Sequence, residues 1–332
     1  MTPVHGRFAV VLNRNAKRVT DKIEELSGEI VRPDDLFLSS SAEESEQIAA
    51  TLIERGYETV FAGGGDGTVM HLINQLAEYP LEQQPAIGIL KLGTGNAMAR
   101  MVSSGNLVGD LKTYVRSATR EVVPISLIEA EGTKFPFAGL GTDAEILNDY
   151  KFVKENMGSS VMKPVVQTVG GYFLGLMART IPRHVGTAVK GDPGVVRAVV
   201  TRGEAIRLGP DGEEVERLAE GSLLYEGSAN ICMVGTVPFY GYGMKVMPYA
   251  NADLDRMQLR ISNIAIAKAL ALLPTIWKGE YGGSDLNDFL VEQVQITSDV
   301  DAPYQVGGDA EGYRRDVTFT VVPRAVRLLK LI

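Results

Sequence analysis

The chain is poor in the residues that build metal sites and crosslinks. Among 332 residues it has one cysteine, Cys232, and three widely separated histidines, His5, His71 and His184. A single cysteine excludes an internal disulfide, and neither count supports a zinc site. Basic excess is missing too: 33 Lys and Arg stand against 41 Asp and Glu, a net charge of −8. That is the reverse of a nucleic-acid binder's usual balance, and it disfavours attraction of the whole molecule to an anionic membrane. Long apolar runs are absent. The most apolar late stretch, Ile264 to Trp277, contains Lys268 and Pro274 and falls short of the roughly 18 residues that a span requires. The first residues lack the basic-then-apolar pattern of an export signal. A cytoplasmic protein with no transmembrane segment and no nucleic-acid partner is therefore expected. Two nucleotide motifs are also missing. There is no GxxxxGK[ST], and Gly93-Thr-Gly-Asn-Ala-Met98 lacks the third glycine of GxGxxG, which disfavours an ordinary P-loop enzyme and a nicotinamide-dependent oxidoreductase.

What is present is globular. Hydrophobic residues make up 45% and charged residues 22%, and the length suits two domains of ordinary size. The first part alternates strand and helix patterns. Phe8 to Asn13 reads as a strand, Lys22 to Leu26 as a helix and Asp35 to Leu38 as a short strand. Ser41 and Glu44 form a capping box ahead of Ile48, Ala49, Leu52 and Ile53 at helical spacing. Glu58 to Ala62 is the next strand, Val69 to Leu76 a helix, Ala86 to Leu90 a strand, and Ala97 to Met101 a helix. This order predicts a parallel α/β layer. After residue 124 the pattern changes to strands at Val122–Ala130, Phe135–Leu140, Val195–Thr201, Leu224–Val234 and Met257–Ile261, interrupted by a helical stretch from Tyr150 to Arg179. The expected organisation is an α/β nucleotide-binding domain over 1–124, completed by 322–332, and a β-sandwich substrate domain over 125–321.

Two glycine loops, Gly63-Gly-Gly-Asp-Gly-Thr68 and Gly93-Thr-Gly-Asn96, each follow a predicted strand and precede a predicted helix. In a parallel sheet they lie at the carboxyl edge, where ligands bind. Glycine permits tight turns and close approach, and backbone N–H groups at a helix start favour a phosphate. Asp66 would repel that phosphate unless it handles a metal ion, a water or a hydroxyl, which points to phosphoryl transfer with Mg²⁺. The competing reading is that these glycines only make turns; two such loops thirty residues apart weigh against it. Near the end, Asp309 and Glu311 stand two residues apart. On a strand they would share one face, about 7 Å apart, where one can take a proton from an attacking hydroxyl and the other orient it or hold metal. A solvated turn after Gly307-Gly308 is the plain alternative. Asp253 and Asp255 form a second such pair, read first as a polar turn.

Taken together these segments resemble the diacylglycerol kinase and sphingosine kinase catalytic family. Gly64-Gly-Asp-Gly-Thr68 is similar to its GGDGT signature, Gly93-Thr-Gly-Asn96 with Ala99-Arg100 to its GTxND-x-AR segment, and Asp309 to Glu311 to its late DGE. Val246-Met-Pro-Tyr-Ala250 and Asp255 follow the family's order before the last β stretch. The chain departs at Arg14, Lys91, Ala97 and Ala310, where the family has proline, proline, aspartate and glycine. The resemblance implies an α/β domain and a β-sandwich with the active site in the cleft between them, ATP and Mg²⁺ as cofactors, and a lipid reached at the membrane surface, with peripheral attachment at the inner face. It implies catalytic roles for Asp66, Asp309 and Glu311. It implies nucleotide contacts by Asn13, Ser39, Gly64, Gly65, Asp66, Gly67, Thr68, Gly93, Thr94, Gly95 and Asn96, and a metal or acidic network at Asp255. The apolar segments Val161 to Met177 and Ile264 to Trp277 are candidates for a lipid-facing wall, with core packing as their alternative. A kinase of a soluble acceptor similar to NAD kinases, and a non-catalytic nucleotide-binding regulator, stay open beside the lipid kinase. The oligomeric state, a homodimer included, and the identity of the lipid stay open as well.

Overall fold

The structure is a computed structural model. It describes residues 7–16, 19–93, 97–102, 105–116, 120–141, 144, 194–240 and 243–330. The chain forms two compact units: residues 1–127, 239–243 and 322–332 in the first, and 128–238 with 244–321 in the second.

The first unit is built on β1 (Phe8–Asn13), α1 (Asp21–Gly28), β2 (Leu36–Ser39), α2 (Ala42–Glu54), β3 (Thr59–Gly64), α3 (Asp66–Leu76), β4 (Ala86–Lys91) and α4 (Leu107–Arg116). Its sheet runs β2-β1-β3-β4, all parallel. Beyond β4 lies the end of the last strand, where Leu328 stands opposite Ile87. Strands buried on both faces read as continuous apolar runs, and Phe8 to Leu12 is such a run, buried throughout. The core joins Phe8, Val10, Leu12, Phe61, Leu90 and Leu329 to Leu107, Leu111 and Tyr114 of α4. Phe8, Phe61 and Tyr114 meet edge to face, with centroids 5.0–6.1 Å apart, the arrangement favoured by the ring quadrupoles.

Two helix details differ from the expectation. The segment expected as a helix from Ala97 to Met101 is a single 3-10 turn, Met98–Arg100. Helix α4 was not expected, although Leu107, Leu111 and Tyr114 carry its helical spacing. At α2 the cap forms as read, with Ser41 Oγ accepting the N–H of Glu44 at 3.2 Å. The Glu44 carboxylate, however, reaches back to the N–H of Ser40 at 2.6 Å rather than to that of Ser41. Replacing Ser41 by Ala should destabilise the protein by about 1 kcal/mol, the usual worth of an N-cap, measurable as a lowered urea midpoint.

The second unit is mainly β. Strand β5 (Glu121–Ala130) enters it, followed by β6 (Thr133–Phe135), β7 (Phe137–Gly141), β8 (Val195–Arg202), β9 (Ala205–Leu208), β10 (Glu214–Leu218), β11 (Leu223–Ser228), β12 (Ile231–Gly235), β13 (Met257–Ser262), α5 (Ile266–Ala271), α6 (Leu273–Lys278), β14 (Leu286–Val291), β15 (Gln293–Val306) and β16 (Asp309–Lys330). The single strand expected over Leu224–Val234 is thus two, and Phe135 and Phe137 belong to different strands. Antiparallel pairing links β10-β9-β14-β13-β12-β7 on one side and β11-β8 on the other. Strand β15 serves both. Its first half pairs with β8 and its last three residues with β7, and its pairing with β16 shifts register between Thr297 and Ala302. One core receives side chains from both arms, including Leu140, Val234 and Phe289 with Ala198, Ile296 and Phe319. The region expected as a helical insertion, Tyr150 to Arg179, lies outside the described residues, as does Val161 to Met177 within it.

Among the described residues no helix is long and apolar enough to cross a membrane. The other apolar stretch, Ile264 to Trp277, forms α5 and α6. No residue of α6 is buried, which is not the pattern of a core helix.

Candidate functional site

The first unit brings the predicted residues of its carboxyl edge together. Asn13 ends β1, Ser39 ends β2, and β3 runs into α3 through Gly64 and Gly65. A pocket of about 320 Å³ opens there, lined by Asn13, Asn15, Ser39 to Ser41, Ala42, Ser45, Gly67, Thr68 and His71. Its polar lining is amides, hydroxyls and one imidazole, without lysine, arginine or carboxylate. Such a set matches the hydroxyls and ring edges of a nucleoside.

The pocket wall is held by a continuous chain of hydrogen bonds. Asn13 Nδ2 donates to Thr68 Oγ1 at 3.0 Å, tying β1 to the first turn of α3. Asn13 Oδ1 accepts the N–H of Asn15 at 2.9 Å, and Asn15 Nδ2 donates to the Ser40 carbonyl at 2.8 Å. Thr68 is folded onto Gly64: a Cβ on that glycine would lie 2.5 Å from Thr68 Cβ. The lining residues Asn15, Ser40, Ser41, Ala42, Ser45 and His71 are not among those the sequence assigns to the nucleotide site. The run Ser39-Ser-Ser41 directly before a helix cap is the signal that carries several of them.

Asp66 opens α3, half-buried, in the first turn. A carboxylate is favoured there by the helix dipole. Its Oδ1 accepts the N–H of Met98 at 3.4 Å, from the segment that follows the second loop. Gly93 of the second loop packs against the backbone of the first. A Cβ on Gly93 would fall inside the contact distance of Gly65 Cα and lie 2.9 Å from Gly65 N. The N–H of Leu92 donates to the Gly64 carbonyl at 3.1 Å. Of the second loop, Thr94, Gly95 and Asn96 lie outside the described residues.

Asp309, Glu311 and Asp255 belong to the second unit. Asp309 and Glu311 are exposed on the opening of β16, with Ala310 between them half-buried, so they alternate as a strand predicts. The hairpin before them turns on Gly307 and Gly308, with φ of 58° and 92°, the type I′ pattern in which both central residues need positive φ. Both plain elements of the sequence reading are present: a glycine turn, and directly after it a strand that carries both acids. Asp255 is exposed in a turn, where its N–H donates to Asp253 Oδ1 at 2.8 Å, and Asp253 pairs with Arg256 at 2.6 Å. Among the described residues no group of three or more His, Cys, Asp and Glu could hold a metal ion. Asp66 supplies one carboxylate. That suits Mg²⁺, which takes one or two carboxylates and otherwise water and substrate phosphates.

Comparison with known proteins agrees with this geometry. Residues 7–129 match the model of the diacylglycerol kinase catalytic domain. The chain is 25% identical over 287 residues to the "Probable lipid kinase YegS-like" of Yersinia pestis, covering 84% of this chain and 80% of that protein. It is 26% identical over 121 residues to diacylglycerol kinase 2 of Arabidopsis thaliana, a match spanning 30% of this chain and only 17% of the plant protein. Among solved structures, a diacylglycerol kinase of Bacillus anthracis strain Sterne superposes with a TM-score of 0.60 at 14% identity, covering 97% of this chain and 96% of the other. That likeness concerns the fold. The glycine loops, Asp66 and the polar pocket all lie inside the matched segment, and through residues 7–129 the chain is similar to the diacylglycerol kinase catalytic domain.

Proposed function

We propose that the chain is an ATP-dependent lipid kinase that moves the γ-phosphate of ATP to a lipid hydroxyl. The observation that carries the reading is the first unit's edge: a neutral polar pocket bounded by Asn13, Ser39 and Thr68, beside a backbone-lined glycine turn that opens a helix on Asp66. Amides and hydroxyls bind a nucleoside, and N–H groups at the start of α3 receive its phosphates. Thr94, Gly95 and Asn96 are assigned to the same nucleotide on the resemblance. Mg²⁺, when bound with the nucleotide, neutralises charge developing on the phosphates.

The chain's own groups then have separable tasks. Asp66 would hold Mg²⁺ and its water beside the phosphates, offsetting the repulsion that a bare carboxylate would exert on them. Asp309 and Glu311 serve the acceptor: as the alcohol oxygen bonds to the γ-phosphorus and the bond to the ADP oxygen breaks, a carboxylate accepts the alcohol proton. Asp255 is assigned on the resemblance to a metal or acidic network. The lipid is approached from the aqueous side. Helix α6, apolar and without a buried residue, is the described segment best suited to face it. The setting proposed is the cytoplasm, with peripheral attachment to the inner membrane face.

The test offers the protein ATP with total lipid extract and, in parallel, ATP with NAD, and identifies by mass which species gains a phosphate. A phosphorylated lipid with NAD untouched is the expected result. Phosphorylated NAD without a lipid product would replace the reading by a soluble-acceptor kinase. ATP binding without turnover on either would replace it by a regulator.

A further inference from the structure

The strand that carries the two acids is irregular where Glu311 sits. Gln305 pairs with Ala310 and Pro303 with Tyr313, so Glu311 and Gly312 together oppose Tyr304. This is a β-bulge, and Gly312 takes φ of 81°. A bulge leaves its residues without regular ladder partners and re-aims their side chains. Something else must fix the backbone there.

Arg314 supplies that support. Its Nη1 donates to the carbonyl oxygens of Glu311 at 3.1 Å and Tyr313 at 2.9 Å, the two carbonyls that bracket Gly312. Its Nε and Nη2 fork onto both carboxylate oxygens of Glu131, at 2.7 and 2.9 Å. The guanidinium lies 5.1 Å from the ring centroid of buried Tyr304, the residue opposite the bulge. Hydrogen bonding to Arg314 holds the Glu131 carboxyl below its usual range.

Glu131 is itself informative. It lies in the two-residue turn between β5 and β6, since Ala130 pairs with Thr133, and it has φ of 53°. Such turns favour Asn, Asp or Gly at positive φ. A glutamate adopts that backbone here, and its longer side chain makes the bidentate pair with Arg314, the planar fork geometry that lysine cannot reproduce.

Resting on the reading in which Glu311 serves the acceptor hydroxyl, we propose that Arg314 is a positioning residue for Glu311, anchored by Glu131, which locks the bulge so that the carboxylate is presented in one orientation. The pair is partly exposed, with side chains 33% and 46% accessible, and pairs of that kind add little to stability. The effect of losing it should therefore appear in turnover and not in folding.

The experiment measures kcat and KM for ATP, with lipid as acceptor, in Arg314→Ala, Arg314→Lys, Glu131→Gln, the Arg314→Ala/Glu131→Gln double variant and Glu311→Gln. Arg314→Ala should lower kcat about 10- to 100-fold, the scale of a small misplacement of a reacting group, with KM for ATP within about twofold and the thermal midpoint near wild type. Arg314→Lys, which keeps the charge but not the fork and both carbonyl bonds, should not restore kcat. The double variant should be no worse than Arg314→Ala, because the two residues act as one device. Wild-type kcat in Arg314→Ala or Arg314→Lys, with Glu311→Gln inactive, overturns the inference and leaves the functional reading standing. Wild-type kcat in Glu311→Gln overturns that reading and the inference with it. If Arg314→Ala fails to fold, Arg314→Lys carries the same decision.

Discussion

Asp66→Asn should reduce lipid phosphorylation by about 10³-fold or more while the protein stays folded. The substitution is isosteric, so an amide oxygen can still accept the Met98 N–H that Asp66 Oδ1 accepts at 3.4 Å. What is lost is the charge. At the first turn of α3 a carboxylate adds about 0.3–1 kcal/mol through the helix dipole, too little to unfold a domain of this size. At a phosphoryl-transfer centre the same charge organises metal and water, and groups in such roles are worth about 10²–10⁴ in rate. Each power of ten corresponds to about 1.4 kcal/mol of barrier. One substitution should therefore separate a large kinetic effect from a small thermodynamic one. The check is single-turnover transfer from labelled ATP beside a urea unfolding curve. An unchanged rate removes Asp66 from the chemistry. An unfolded protein would mean that its contacts were structural after all.

The parts of this molecule that were legible in the sequence are those in which one local rule dominates. Phe8 to Leu12 is apolar on both faces because a central parallel strand is covered on both sides. Ser41 with Glu44 announces α2 because a helix start has unsatisfied N–H groups. The glycine loops were visible because close backbone approach leaves no alternative to glycine. The pocket was only half legible. Asn13, Ser39 and Thr68 lie in the glycine-loop neighbourhood and were assigned by resemblance. Asn15, Ser45 and His71 reach the same pocket from neighbouring turns and helix faces, and no periodicity in the chain says which polar residues will converge. Helix α4 was legible in principle from Leu107, Leu111 and Tyr114. It was hidden by its shortness and by the glycine inside it, Gly109, since glycine weighs against a helix. The bulge at Glu311 and Gly312 was not legible. A register shift depends on the partner strand, and the pairing of Tyr304 with two residues is a fact about β15 as much as about β16.

Gly93→Ala and Gly65→Ala should behave oppositely, and the contrast decides what the glycine loops are for. At Gly93 a methyl would meet only backbone: Gly65 Cα inside contact distance, Gly65 N at 2.9 Å and the Gly64 carbonyl oxygen at 3.2 Å. No flexible side chain can move aside. The ends of β3 and β4, joined by the Leu92 N–H to Gly64 carbonyl bond, would have to part. Overpacking usually costs about 1–3 kcal/mol, and backbone on both sides puts this site at the upper end, about 3 kcal/mol. At Gly65 the nearest atom to a new methyl is Gly93 Cα at 3.5 Å, an ordinary contact, and φ of −95° suits any residue. Alanine is a poorer N-cap than glycine, but by less than about 1 kcal/mol, so Gly65→Ala should fold. On the proposed reading the methyl would nonetheless stand where a phosphate approaches the first N–H groups of α3, and ATP affinity should fall by about tenfold or more. Urea unfolding and calorimetric titration with ATP measure the two effects separately. If Gly65→Ala binds ATP as tightly as the native chain, its glycine is there for the turn alone, and the proposed phosphate contact with the start of α3 is wrong.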